Sequence, residues 1–136
     1  YAPPIEGNSP NFVGEIAEAI NSGEPIALHA EGRPVRDIIH VDDISAACES
    51  FIDSAVRHGK YKLGGGKNNA ISMKDLVAKM QDISGLQAAI DTETILPAPS
   101  PMNYISDLSL IDHELAWGPK VSIDDGLATL FPSAAK

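Results

Sequence analysis

Cysteine is almost missing from this 136-residue chain: Cys48 stands alone. That excludes an intramolecular disulfide framework and a multi-cysteine zinc site. Basic residues are scarce as well, ten Lys and Arg against nineteen Asp and Glu, for a net charge of −9. A chain of that sign repels phosphate backbones and anionic bilayers, which argues against nucleic-acid and membrane-surface roles. No apolar run approaches the ~20 residues that a membrane-spanning helix needs. No basic stretch followed by an apolar one marks a secretory leader, so the expected location is cytoplasmic. What is present suits one globular domain, residues 1–136, because 43% of the residues are hydrophobic. Chains of this length bury roughly two thirds of their unfolded surface without staples.

The first residues, Tyr1-Ala2-Pro3-Pro4, read as the middle of a loop and carry no methionine, so further residues are expected upstream. Ser9-Pro10 then opens a helix carrying Val13, Ile16, Ala17 and Ile20, with Gly23 as its stop. Residues 25–29 form a short strand, Glu31-Gly32-Arg33-Pro34 a turn, and residues 35–41 (VRDIIHV) a second strand. Asp42 and Asp43 sit where helix caps belong. Behind them Ile44, Ala47, Cys48, Phe51, Ile52 and Ala55 share one face of a helix that Gly59 ends, with Cys48 read as core. Tyr61-Lys62-Leu63 reads as a strand running into Gly64-Gly65-Gly66. Ser72 with Asp75 resembles a capping box before the stripe Met73, Leu76, Val77, Met80 and Ile83, closed by Gly85. Residues 87–96 are extended and residues 97–101 (PAPSP) a rigid loop. Asp107 caps a helix ended by Gly118-Pro119, Ser122 caps the last one, and Trp117 is a packing anchor. Short strands alternating with helices mean an α/β fold with three or four strands in a thin sheet.

Few constellations carry chemistry. His40, Asp42 and Asp43 have ligand types suited to a divalent ion, but a strand end followed by a helix cap explains them better, and no metal site is assigned. Gly64-Gly65-Gly66 lacks the spacing of a dinucleotide loop and is not followed by Lys-Ser/Thr, so a tight turn is the better reading. No nucleophile elbow is present, and no catalytic residue is assigned. Arg36 is different. An arginine in an apolar strand requires a fixed anionic partner, a carboxylate or a ligand phosphate.

The order of the pieces is more specific than any single one. Tyr1-Ala2-Pro3, Gly-x-Pro-Ile, VRDIIHVDD before a helix, Tyr-Lys-Leu-Gly-Gly-Gly, Tyr-Ile-Ser-Asp and Trp-Gly-Pro follow one another across residues 1 to about 130. In this the chain resembles the C-terminal half of extended short-chain dehydrogenase/reductases, the NAD-dependent nucleotide-sugar epimerase/dehydratase family. The resemblance implies the C-terminal portion of a Rossmann-type protein: the last sheet strands plus a small α/β substrate-binding region. NAD or NADP and the Tyr-x-x-x-Lys acid/base pair would belong to an N-terminal part not found here, leaving this chain alone inactive. The family chemistry is transient hydride transfer from the sugar, followed by inversion or dehydration. A homodimer and a nucleotide-sugar substrate are implied for the full-length protein.

By the same resemblance Asn11 and Phe12 contact the substrate nucleotide, Ala27 and His29 lie on the strand beside the base, and Arg36 holds the diphosphate. Three departures stand out. Pro97 and Ser100 fall where the family has a second diphosphate-clamping Arg and its Asp, and Ala2 replaces a usual glycine. Losing that clamp removes roughly 1.5–3 kcal/mol per charge-assisted hydrogen bond. The alternatives are a reductase of a non-nucleotide carbonyl and a non-catalytic binding member of the fold.

Overall fold

In the computed structural model, residues 1–3 and 11–131 are described. Helix α1 (Phe12–Ser22) starts at Asn11, whose Oδ1 accepts from Val13 N and Gly14 N, and stops at Gly23 in the left-handed conformation. The expected Ser9-Pro10 start lies outside the described residues. Strand β1 (Ile26–His29) and strand β2 (Val35–Asp37) follow, then helix α2 (Val41–Asp53), strand β3 (Ala70–Ser72) and helix α3 (Met73–Ser84). The chain continues as strand β4 (Ile90–Leu96), strand β5 (Asn103–Tyr104), helix α4 (Ser109–Leu115) and helix α5 (Ile123–Ala128).

The strands form two small sheets rather than one thin one. β1 pairs parallel with β4, with a bulge between Ala27 and His29. β2 lies between β3, antiparallel to it, and β5, parallel to it. The larger core joins Val13, Ala17 and Ile20 of α1 to Ile38, Ile71, Leu76 and Met80, and to Leu127 and Phe131 beyond. A second, smaller core gathers Ala47, Ile111, Leu115 and Trp117. Trp117 is the anchor anticipated, although its buried indole N–H has no partner among the described residues.

Several expectations are corrected. The strand over residues 35–41 is only three residues long, because β3 and β5 offer three and two residues of ladder. Beyond it Ile38 turns into the larger core, while Ile39 packs on the smaller one. The cap of α2 is His40, whose Nδ1 accepts from Asp42 N; Asp42 and Asp43 belong to the first turn. α2 ends at Asp53, well before Gly59, and residues 61–63 form no strand. Cys48 is exposed and Ile52 is 75% exposed, since α4 covers only part of the apolar face of α2. α4 has Leu108 as its cap residue, with Asp107 accepting from Ser109 N, and ends at Leu115 with Ala116 as its C-cap, rather than at Gly118-Pro119. Ser72 and Ser122 do cap α3 and α5, each accepting from the N–H three residues on.

Candidate functional site

An open cavity of about 450 Å³ lies between α1, β1, β2 and the loop after β4. Its wall is mostly apolar: Phe12 and Ile16 from α1, Ala27 and Leu28 from β1, Met73 from α3, then Leu96 and Pro99. Three of the lining residues are polar, Glu15, His29 and Arg36, and among the described residues Arg36 is the only Arg or Lys lining it.

Strand alternation separates Arg36 from its neighbour. Side chains one residue apart point to opposite faces of a strand. Asp37, on the other face, accepts through Oδ2 from Gly66 N and Ser106 N, both at 3.0 Å. Arg36 therefore has no ion pair with Asp37. Its Nη1 donates to the Val35 and Met102 carbonyls at 2.8 and 2.9 Å, and its Nη2 to the Pro101 carbonyl at 3.1 Å. This corrects the choice between carboxylate and phosphate: backbone carbonyls are the partners in the fold. A guanidinium has five N–H groups. Three are engaged, which leaves Nε–H and one Nη2–H, the pair that can fork onto an oxyanion.

The loop of residues 97–102 is held at both ends. At one end the carbonyls of Pro101 and Met102 hold Arg36; at the other, His29 Nδ1 stands 2.7 Å from the Pro97 carbonyl. Proline has no N–H, so a proline-rich loop offers mainly carbonyls. Ser100-Pro101 is a cis bond. Of the residues singled out from sequence, Phe12, Ala27, His29 and Arg36 line one cavity, whereas Asn11 caps α1 beside it. Glu15, Leu28, Met73 and Pro99 were not anticipated as wall residues.

The glycine run does not fit a dinucleotide. A Cβ on Gly64 would collide with Ser106 and the Asp37 carboxylate, and one on Gly65 with the Ile38 carbonyl. The glycines admit the chain's own backbone, and Gly66 N–H faces a carboxylate where a cofactor phosphate would need to lie. Among the described residues, no group of three or more His, Cys, Asp and Glu side chains is placed to hold a metal ion. His40 is buried against the Tyr1 ring at 5.3 Å, and its Nε2 lies 3.5 Å from Thr129 Oγ1. No helix among the described residues is long and apolar enough to cross a membrane.

No family model matches the chain. It is 26% identical over 114 residues to GDP-L-fucose synthase 1 of Arabidopsis thaliana, covering 82% of this chain and 33% of that protein. To dTDP-glucose 4,6-dehydratase of Streptomyces griseus it is 30% identical over 107 residues, covering 78% and 32%. The chain thus spans about a third of the length of the curated relatives it matches. Among solved structures, UDP-glucose 4-epimerase from Thermotoga maritima with UDP-glucose superposes with a TM-score of 0.80 at 21% identity, over 97% of this chain and 42% of that one. UDP-glucuronic acid 4-epimerase from Bacillus cereus, in complex with UDP-glucuronic acid and NAD, gives 0.75 at 20% identity over 88% and 38%. In sequence and in fold, the chain corresponds to the C-terminal part of the nucleotide-sugar epimerases and dehydratases of the extended short-chain dehydrogenase/reductase family.

Proposed function

We propose that this chain is the nucleotide-sugar-binding portion of an NAD(P)-dependent nucleotide-sugar epimerase or dehydratase. The observation that carries the reading is Arg36, a lone cation in an apolar cavity with one forked pair of donors left open. The diphosphate would lie on that fork. Phe12, Ala27 and Leu28 would cover the apolar faces of the base and sugar, with Asn11 at the edge. Tyr-x-x-x-Lys chemistry and NAD(P) would be supplied by other parts of the full-length protein, working as a homodimer in the cytoplasm. The relatives' names support the substrate class, and the complex of the Bacillus cereus neighbour with NAD supports the cofactor.

Calorimetric titration of uridine diphosphate into the full-length protein and two variants tests this. Arg36→Ala should lose about thirty-fold or more in affinity, corresponding to roughly 2–5 kcal/mol for a charge-assisted pair in a partly dry pocket. Arg36→Lys should recover only part, because an ammonium cannot fork onto two oxygens. Affinity unchanged in Arg36→Ala would overturn the reading.

One observation favours a second reading. Pro97, where the family resemblance places a second arginine, carries no charge, and among the described residues Arg36 is the only Arg or Lys lining the cavity. A cavity with one cation and apolar walls also suits a reductase acting on a non-nucleotide carbonyl. The same titration separates the two.

A further inference from the structure

Residues 97–102 join β4 of the two-stranded sheet to β5 of the three-stranded one, and the cavity draws its wall from both sheets. Each sheet sends one side chain to this connection. From the end of β1, His29 Nδ1 stands 2.7 Å from the Pro97 carbonyl. A carbonyl only accepts, so Nδ1 carries the proton there whether the ring is neutral or charged. From β2, Arg36 holds the carbonyls of Pro101 and Met102, and Val35 N donates to Asn103 Oδ1 at 3.2 Å just beyond them. Between the two ends, Pro99 forms part of the wall. The carbonyls that fix the guanidinium thus belong to a strap whose other end His29 fixes.

We propose that residues 97–102 are a positioning strap for Arg36, and that His29 acts on anion binding through it, as a positioning residue that latches the strap at Pro97. The inference rests on the reading of Arg36 as the anion-binding residue, and it deepens it. An arginine side chain is rich in rotamers, and ordering it only when a ligand arrives weakens binding. Here three of its N–H groups are already engaged by backbone carbonyls, so the open pair is set in advance. The Val35 carbonyl lies on the same strand as Arg36 and is always at hand. The other two carbonyls are in place only while the strap is. No second cation can compensate for a loosened Arg36, because the strap itself contains no Arg or Lys. His29 needs no contact with the ligand in this role, and its exposed position suits it.

Calorimetric titration of the full-length protein with two probes, UDP and inorganic pyrophosphate, tests it. His29→Ala should weaken both by the same factor, about twofold to tenfold, the range for one side chain that must be ordered on binding. His29→Asn, whose amide nitrogen stands where Nδ1 does, should recover most of that loss. The deciding comparison is made in the Arg36→Ala background. There His29→Ala should change UDP affinity no further, because the group it positions is gone. Weakening confined to UDP would make His29 a direct contact of the nucleoside, and additive losses in the double variant would make it independent of Arg36. Either result overturns the strap and leaves the reading of Arg36 standing, as does unchanged affinity in His29→Ala or no recovery in His29→Asn. That reading fails separately, and the strap with it, if neither probe binds or if Arg36→Ala binds UDP as tightly as the parent protein.

Discussion

Asp43 is only 3% exposed, and its two carboxylate oxygens accept from Lys120 N at 2.8 Å and Val121 N at 3.1 Å. It thereby pins the segment before α5 onto α2. Removing the carboxylate strands two backbone donors, and a lost hydrogen bond to a charged group costs about 1.5–3 kcal/mol. Asp43→Ala should lower stability by roughly that amount or more, read as an earlier urea midpoint, while Asp43→Asn keeps one acceptor and loses less. The Tyr1 phenol is pushed up to about 12 by burial, with Asp43, Asp124 and Asp125 adding to it. The unfolded phenol titrates near 10. The folded state therefore holds its proton longer, so stability from this group is complete below pH ~10 and is lost as pH rises toward ~12. Tyr1→Phe should flatten that decline, and ultraviolet titration of tyrosinate should show one late phenol fewer in the variant, where Tyr61 is still held up by its hydrogen bond to Glu114. At Arg36 the sequence signalled a fixed but anionic partner, whereas the fold supplies neutral backbone carbonyls. That its partners would be the carbonyls of Pro101 and Met102 was not legible, since residue type says nothing of where a distant loop's backbone will lie.

Elements reveal why local pattern reading succeeds in some places and fails in others. α1 and α3 were legible because apolar spacing and a terminal glycine point the same way, with both Gly23 and Gly85 adopting positive φ. Residues 35–41 misled because an apolar run looks the same whether it lies in a strand or splits between two cores. Ile38 enters one core and Ile39 the other, a division set by partners far along the chain. The glycine run has the same lesson in reverse, since tightness was visible but not its cause. Gly65→Ala would drive a methyl into the Ile38 carbonyl, backbone that cannot rotate aside. Overpacking of this kind costs typically about 1–3 kcal/mol, so a lower thermal midpoint is expected. Ser72→Ala removes the cap of α3 and should cost about 1 kcal/mol by urea denaturation, with the fold retained.

For the molecule as a whole, no dinucleotide cradle exists among the described residues, since the one glycine run is closed by the Ile38 carbonyl and the Asp37, Ser106 and Leu108 side chains. Titrating NAD against the 136-residue chain alone should therefore give no sub-millimolar binding by ligand-detected magnetic resonance, and no turnover; binding would show that another part of the chain holds the cofactor. The order of motifs made the family legible. The cavity was not, because its shape depends on how residues 97–102 are tied down. The groove between α2 and α4 has a different use. Cys48 sits beside Ile52, Phe51 and Leu63 along the open groove between α2 and α4, and no second thiol exists in the sequence. On the 136-residue chain a maleimide dye would thus attach at a single known point. Its emission would respond to whatever lies over α2, and none of the residues lining that groove lines the Arg36 cavity.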